Sequence, residues 1–132
     1  MTRLFWLAFP ALLLCQDRFA ARPAFRPDIF NTDPAHLDAA HYSVVLDNEH
    51  VRILKFRLGP HERSMIVELP AHVQVAVTDQ NVRLLYPHGK PQERQRKSGD
   101  SAWMERDEYG VENVSDKPVE WVLVETRDGK RG

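Results

Sequence analysis

The sequence predicts an all-β domain whose short strands close into a barrel or a double-sheet jelly roll, preceded by an apolar N-terminal segment and an extended linker. From residue 41 onward, short apolar runs with strand character recur at intervals of roughly 8–12 residues, separated by turn signals. No helical period lies between these runs. Their apolar faces are narrow, and closing the sheet is the simplest way to bury such faces and protect strand edges.

Eight segments carry the strand signal. They are separated by turn residues such as Asp-Asn, Gly-Pro and Ser-Gly-Asp, and they span residues 41–46, 51–58, 73–78, 82–86, 92–97, 101–104, 111–115 and 119–126. The run at 73–78 alternates cleanly, with Val73, Val75 and Val77 on one face. Residues 105–110 carry several charges and predict an irregular loop. The predicted domain therefore covers residues 41–127, with a disordered tail at 128–132.

The residues before the domain differ in kind. Residues 16–40 contain scattered prolines and no sustained period, which predicts an extended linker with at most a helical turn around 34–39. Residues 1–15 start with a basic side chain, continue with an apolar run and end at Cys15. That run is shorter than the ~20 residues of a spanning helix, but it fits the apolar part of an export signal.

Cys15 follows the apolar run at the place where a bacterial lipoprotein would be cleaved and lipidated, although Leu14 stands where such sites carry a small residue. We expect export to the bacterial periplasm or anchoring at the outer membrane, with membrane contact only through this segment. The alternative is an apolar helix that is retained on a cytosolic protein.

Length and composition exclude several classes of protein. A chain of 132 residues supports one domain with a single core. Its net charge of -1 gives no long-range reason to expect a nucleic-acid partner, and the basic run at 93–97 has no interleaved aromatic residues. A single cysteine excludes an internal disulfide and a site built from several thiolates.

The order of the parts resembles a small single-domain cupin, which is a double-stranded β-helix of the jelly-roll type. The resemblance covers residues 41–126. Its specific pieces are the Gly59-Pro60 corner, the Pro-x-His at 70–72, the Gly99-Asp100 corner, Asn113, and the "DKP" turn at 116–118 before the last strand. The resemblance implies a cupin-type jelly-roll barrel, and it implies a homodimer because cupins commonly pair through edge strands.

The same resemblance implies where metal ligands would stand: a His-x-His pair, then a glutamate, and later a histidine four residues before an asparagine. In this sequence the pair falls on Val67 and Leu69, the glutamate near Val73 or Gln74, and the last histidine on Tyr109. None of these positions holds a usual ligand. We therefore expect no metal and no other cofactor.

Elementary chemistry agrees with this expectation. Valine and leucine have no lone pair to donate, and burying each side chain contributes ~1.5–3 kcal/mol. A divalent ion among them would meet uncompensated desolvation. We expect an interior lined by Val67, Leu69, Val73 and Val75, with the ring of Tyr109 closing its mouth and its hydroxyl reaching water or a polar ligand.

The leading hypothesis is a metal-free, non-enzymatic cupin that binds a small apolar or amphipathic molecule or acts as an interaction module. The candidate ligand-binding residues are Val67, Leu69, His72, Val75, Trp103 and Tyr109, and no residue is assigned a catalytic role. A single imidazole such as His72, with neutral neighbours, is a poor metal site and has a simpler interpretation as a hydrogen-bonded residue at the rim.

Two alternatives stay open. One is an enzyme of the dioxygenase, isomerase or epimerase type that uses a divalent transition metal in a rearranged site built from His61, His72 and Glu68. The other is a purely structural dimer whose barrel is filled by its own side chains. The charged loop at 105–110 offers further carboxylates, but nothing in the sequence makes two of them converge, and a solvated surface is the simpler interpretation.

Overall fold

The computed structural model describes residues 32–127, which belong to a compact unit that begins at residue 31. One short helix, α1, spans Pro34–Leu37. The strands are β1 (Tyr42–Asp47), β2 (Val51–Leu58), β3 (Val67–Leu69), β4 (His72–Ala76), β5 (Gln80–Leu85), β6 (Gln92–Arg96), β7 (Ser101–Met104), β8 (Asp107–Asn113) and β9 (Val119–Thr126). The predictions for residues 1–15, for most of the linker and for the tail at 128–132 lie outside the described residues.

The strands form two antiparallel sheets, which confirms the all-β jelly-roll prediction. The five-stranded sheet has the order β1-β2-β9-β4-β7, and the four-stranded sheet has the order β3-β8-β5-β6. Strand β2 shows why these sequences form half-buried strands: Leu54, Phe56 and Leu58 are buried, while Lys55 and Arg57 between them are exposed. Successive side chains of a strand point to opposite faces, so one face of each sheet supplies the core.

An aromatic stack marks the apolar side of that core. The rings of Phe56 and Trp121 lie with centroids 4.3 Å apart and an interplanar angle of 29°. Tyr42 packs against Phe56 at 4.7 Å. Pairing of β1 with β2 and of β2 with β9 sets these three side chains side by side. Each such ring pair stabilises the fold by about 0.5–1.5 kcal/mol beyond the area that it buries.

The sequence missed two strand segments. Strand β3 is only three residues long, and β8 begins at Asp107, inside the segment predicted to be an irregular loop. Both are explained by pairing, because Glu68 lies opposite Glu108 and Leu69 opposite Asp107. Exposed acidic residues have a low intrinsic preference for strands, so the sequence does not predict these segments, and pairing with the neighbouring strand stabilises them instead.

The predicted inner face of β4 is wrong. The buried residues of this strand are His72, Gln74 and Ala76, whereas the alternate valines are only partly buried. Register explains the result, since Gln74 lies opposite Leu123, which is itself fully buried. Val73 and Val75 therefore lie on the outer face of the sheet, where β-branched side chains also suit a strand.

The segment from Asp33 to His41 is held against the barrel. Asp33 caps α1 by accepting a hydrogen bond from the backbone N–H of Ala35 at 3.1 Å, which agrees with the helical turn predicted around 34–39. The buried Asp38 carboxylate accepts hydrogen bonds from the backbone N–H of Met65 at 3.0 Å and from His41 Nδ1 at 2.8 Å. Among the described residues, no helix has the length and apolar character needed to cross a membrane.

Asn113 fixes the end of β8 with a fully buried and fully bonded side chain. Its Nδ2 donates hydrogen bonds to the carbonyl oxygens of Gly59 at 2.9 Å and Lys117 at 2.7 Å. Its Oδ1 accepts from the backbone N–H and the hydroxyl of Ser115. One amide thereby joins the Gly-Pro corner to the turn before β9.

Candidate ligand-binding site

The positions at which a cupin would carry metal ligands do converge on the barrel interior. Val67 and Leu69 are buried, and Val67 lies directly opposite Tyr109 in the pairing of β3 with β8. On β4 it is Gln74, not Val73, that faces inward. Of the two residues that the sequence left open for the glutamate position, Gln74 is the one that faces the interior, beside Val67, Leu69 and Tyr109 at the other positions.

These four residues do not fit a divalent transition metal. Two are hydrocarbons, the third is a neutral amide, and burial raises the pKa of the Tyr109 hydroxyl to about 12, so that it stays protonated. Such metals are held by thiolate, imidazole and carboxylate groups. Within residues 32–127, no three His, Cys, Asp or Glu side chains gather in a way that could hold a metal ion.

His72 has a buried ring nitrogen that finds no hydrogen-bond partner among residues 32–127. The side chain is fully buried, inside the barrel instead of at its rim. Its Nδ1 donates a hydrogen bond to the carbonyl oxygen of Pro70 at 2.7 Å. In the neutral ring Nε2 is then the unprotonated nitrogen, and this acceptor has no hydrogen-bond partner among residues 32–127. Burial, and then the charge of Arg94, lowers the pKa of the imidazole, so His72 is neutral at neutral pH.

Further side chains of the described range add unpaired polar atoms to the interior, among them Tyr42, Gln74, Gln80 and Tyr109. Gln74 is 1% exposed, and neither its amide oxygen nor its amide nitrogen has a hydrogen-bond partner within the described range. The hydroxyl group of Tyr42 is buried and similarly lacks a partner among residues 32–127, and that of Tyr109 has no partner at full hydrogen-bond geometry within this range, although it lies close to Arg94. We call Tyr42, His72, Gln74 and Tyr109 the orphan cluster. Leaving one such group buried and unbonded costs about 1–3 kcal/mol.

Strand β6 brings two arginines to the same interior. Arg94 lies opposite Val82 and Arg96 opposite Gln80, and both partners are buried residues of β5. Arg94 Nη1 lies 3.7 Å and Arg96 Nη2 3.9 Å from the sulfur of Met104. Because Met104 lies opposite His72, the two guanidinium groups border the orphan cluster.

The remainder of the interior is apolar. Val67 lies beside Tyr109, Leu123 lies opposite Gln74, and the Phe56–Trp121 stack continues this surface along β2 and β9. The expected hydrocarbon interior is thus correct for β3 and wrong for β4, and the arginines of β6 were not expected there. The interior as a whole is amphipathic, with one apolar wall and one polar, cationic wall.

The structure separates the six candidate ligand-binding residues into two groups. Val67, Leu69, His72 and Tyr109 lie together inside the barrel. Val75 lies on the outer face, so its predicted inward position is wrong. Trp103 is 54% exposed and lies opposite Val73 on that outer face, where its indole N–H donates to Glu105 at 2.9 Å. That the inner four bind a ligand stays a prediction.

Sequence reasoning missed the arginines of β6 and passed over Gln74 and Tyr42. The signal for the arginines was present, because Gln92, Arg94 and Arg96 alternate along the run at 92–97. A short basic run with nearby acids is more simply interpreted as a solvated surface. Only the pairing of β6 with the buried face of β5 reverses that interpretation.

The residues of the alternative metal site have other partners. His61 is exposed and contacts Asp116 at 2.6 Å. Glu68 faces outward and accepts hydrogen bonds from Arg106. The structure therefore does not bring His61 and Glu68 to His72.

No protein-family model and no curated protein sequence matches the chain, but solved structures do. A cupin domain from Bordetella pertussis matches with a TM-score of 0.60 and 28% identity, over 64% of this chain and 90% of that one. This chain has the cupin fold. The prediction of a cupin whose metal-ligand positions are replaced is thereby confirmed.

More distant structures agree on the fold of this cupin. An RmlC-like cupin family protein from Methanocaldococcus jannaschii has a TM-score of 0.51 at 17% identity, over 68% of this chain and 84% of that one. The DMSP lyase DddQ from Ruegeria pomeroyi has a TM-score of 0.50 at 10% identity, over 80% of this chain and 52% of that one. At these identities the likeness concerns the fold alone.

Proposed function

We propose that this cupin binds a small amphipathic molecule inside its barrel. The orphan cluster carries the proposal, because its buried polar atoms face an apolar wall and have no partner among residues 32–127. A ligand with an O–H or N–H group can donate to His72 Nε2, while its other polar atoms bond the Gln74 amide and the two tyrosine hydroxyls. Its hydrocarbon part then packs on Val67 and Leu123.

The energetic balance argues against the alternative of a purely structural barrel whose interior is filled only by its own side chains. Native domains are stable by only about 5–15 kcal/mol. Four side chains with unbonded buried polar atoms, at about 1–3 kcal/mol each, remove a large share of that margin. Apolar residues at the same positions would avoid the loss. Departures of this kind from the most stable choice are typical of functional sites.

A thermal-shift screen against metabolites and lipids tests the proposal. A ligand at one hundred times its Kd stabilises the folded state by about 2.7 kcal/mol, which raises the Tm of a domain of about 100 residues by roughly 11–22 °C. We expect His72→Gln to lose most of this rise. The matched control is His50→Gln, because the side chain of His50 is 75% exposed. The proposal would be contradicted if no compound raised the Tm, or if a ligand raised the Tm of the two variants by the same amount.

We also propose that the cupin is a homodimer. The support is the outer face of the five-stranded sheet, where Trp103 and Val77 are 54% and 45% exposed. Trp103 also borders an outer cleft of about 690 Å³. Light scattering, which measures molar mass in solution, tests the proposal. The native protein should have twice the mass of one chain, and Trp103→Glu should have the mass of a monomer. A native monomer would refute it.

Export is likewise proposed from residues 1–15, whose basic start and apolar run fit a signal segment. The intact mass of the protein recovered from a bacterial membrane fraction separates the cases. A mass lower by the signal segment, or one that includes lipid on Cys15, supports export. Full-length protein in the cytosol contradicts it.

A further inference from the structure

We infer that the polar end of the ligand is an organic anion held by Arg94 and Arg96, an inference that rests on the proposed function. The two residues alternate on β6 and lie opposite buried residues of β5. Their guanidinium nitrogens share one neighbour, the sulfur of Met104. Two positive groups therefore border one point of the barrel interior.

Among residues 32–127, neither arginine has a carboxylate that balances its charge. Across residues 32–127, five other arginines form ion pairs with acidic side chains: Arg52, Arg63, Arg83, Arg106 and Arg127. Arg94 and Arg96 form none within that range. The thioether of Met104 is only a weak acceptor and does not compensate a cation.

Three carboxylates of the described range that border this region have other hydrogen-bond partners. Asp79 and Asp100 share a cleft of about 300 Å³ with Arg96, but Asp79 accepts a hydrogen bond from the backbone N–H of Ser98, and Asp100 accepts one from that of Lys97. The charge of Asp107 raises the pKa of Tyr86 and Tyr109, and its carboxylate accepts a hydrogen bond from the backbone N–H of Glu108. The cationic wall thus stays without a counter-ion from the described chain.

The electrostatics place Arg94 next to the orphan cluster. Burial is the main cause of the lowered pKa of His72, and the charge of Arg94 lowers it further. Burial raises the pKa of Tyr109, and the charge of Arg94 opposes that rise. Burial lowers the pKa of Arg94 itself and the neighbouring Arg96 adds to this, although Tyr109 and Tyr86 act in the opposite direction. A desolvated cation beside a like charge is unfavourable, and an anion placed between them removes that cost.

The chemistry of guanidinium selects the ligand class. Arginine presents several donors in a planar fork and binds carboxylate and phosphate groups with two parallel hydrogen bonds. The same pair of positive charges repels a divalent cation. The site thus replaces metal-binding chemistry with anion-binding chemistry within one fold.

Matched ligand series test this inference by calorimetry and thermal shift. The first series is hexanoate, hexyl phosphate, hexanol and hexylamine, and the second is benzoate, benzyl phosphate, benzyl alcohol and benzylamine. We expect an anion of either series to bind more tightly than its alcohol and amine, and the comparison of carboxylate with phosphate identifies the group. Loss of a charged hydrogen bond corresponds to about a 10- to 150-fold weaker Kd, which we expect for Arg94→Gln.

Arg57→Gln provides the matched control, since Arg57 is exposed on β2 and the change in net charge is identical. It should bind the anion like the native protein. Arg94→Gln should keep its Tm without ligand, which shows that it folds, and should bind the alcohol unchanged. Equal anion affinity in the two variants, or an amine that binds as tightly as the anions, overturns the inference and leaves the proposed function standing. Failure of every compound in both series contradicts the proposed function itself.

Discussion

Replacing Gln74 by methionine should stabilise the ligand-free domain. Gln74 is 1% exposed, and both polar atoms of its side chain lack a partner among the described residues. Methionine has a similar length and no group that needs a hydrogen bond. Removing an unbonded buried amide should therefore recover about 1–3 kcal/mol. For a domain of about 100 residues, each kcal/mol raises the Tm by about 4–8 °C.

Asn113 supplies the matched control because it is also a buried amide, but its side chain makes four hydrogen bonds. At about 0.5–1.5 kcal/mol for each bond, Asn113→Leu should destabilise the domain by about 2–6 kcal/mol. Urea denaturation monitored by tryptophan fluorescence measures both changes, and the slope of unfolding free energy against urea should stay constant.

The two amides should thus move stability in opposite directions, and Gln74→Met should also lose the ligand-induced rise in Tm. A gain in stability with a loss of binding is the usual relation between a functional site and the rest of a fold. If Gln74→Met destabilised the domain as much as Asn113→Leu does, Gln74 would have structural partners and the argument from the orphan cluster would be refuted.

Three further changes have definite expected outcomes. Because burial lowers the pKa of folded His72 below 6.5, stability should fall as the pH drops below about 6.5, and His72→Gln should remove this loss in urea titrations. Burial opposes protonation of His41, but hydrogen bonds to Glu62 and Asp38 outweigh burial and raise the pKa of the imidazole. Protonated His41 should therefore stabilise the fold fully below pH 6.5, and this stabilisation should vanish as the pH rises through the folded pKa. His41→Gln should flatten that alkaline limb, and an unchanged profile in either variant refutes the corresponding assignment. Gly99→Ala should cost about 1–2 kcal/mol, because Gly99 has a φ of 89° while an added Cβ would meet nothing within 4 Å; a neutral effect on the Tm would contradict this.

The sequence was sufficient for the fold because alternation and turn residues are local signals. Strand β2 shows this, since its buried and exposed residues alternate as the pattern predicts. The same rule failed on β4, where both faces carry plausible strand residues. Valine suits an outer sheet face as well as an inner one, and only the pairing with β9 shows that Gln74 faces inward.

The site was harder to predict because its character depends on contacts across the barrel. Val67 and Leu69 were placed correctly by the resemblance to cupins, which fixes positions along the chain. Tyr109 was expected at the mouth of the barrel with its hydroxyl reaching water or a polar ligand, but it is 1% exposed and its hydroxyl is buried. Arg94 was missed, since a cation in a basic run is normally solvated. Its inward direction follows from pairing with Val82, which the sequence pattern does not specify.

A crystal structure of protein purified without chelator tests the central claim most directly, by the electron density around His72 Nε2 and the Gln74 amide. The account predicts density for an organic molecule that contacts both groups, with its anionic end toward Arg94. An anomalous peak from a transition metal about 2.0–2.1 Å from His72 Nε2 would contradict it.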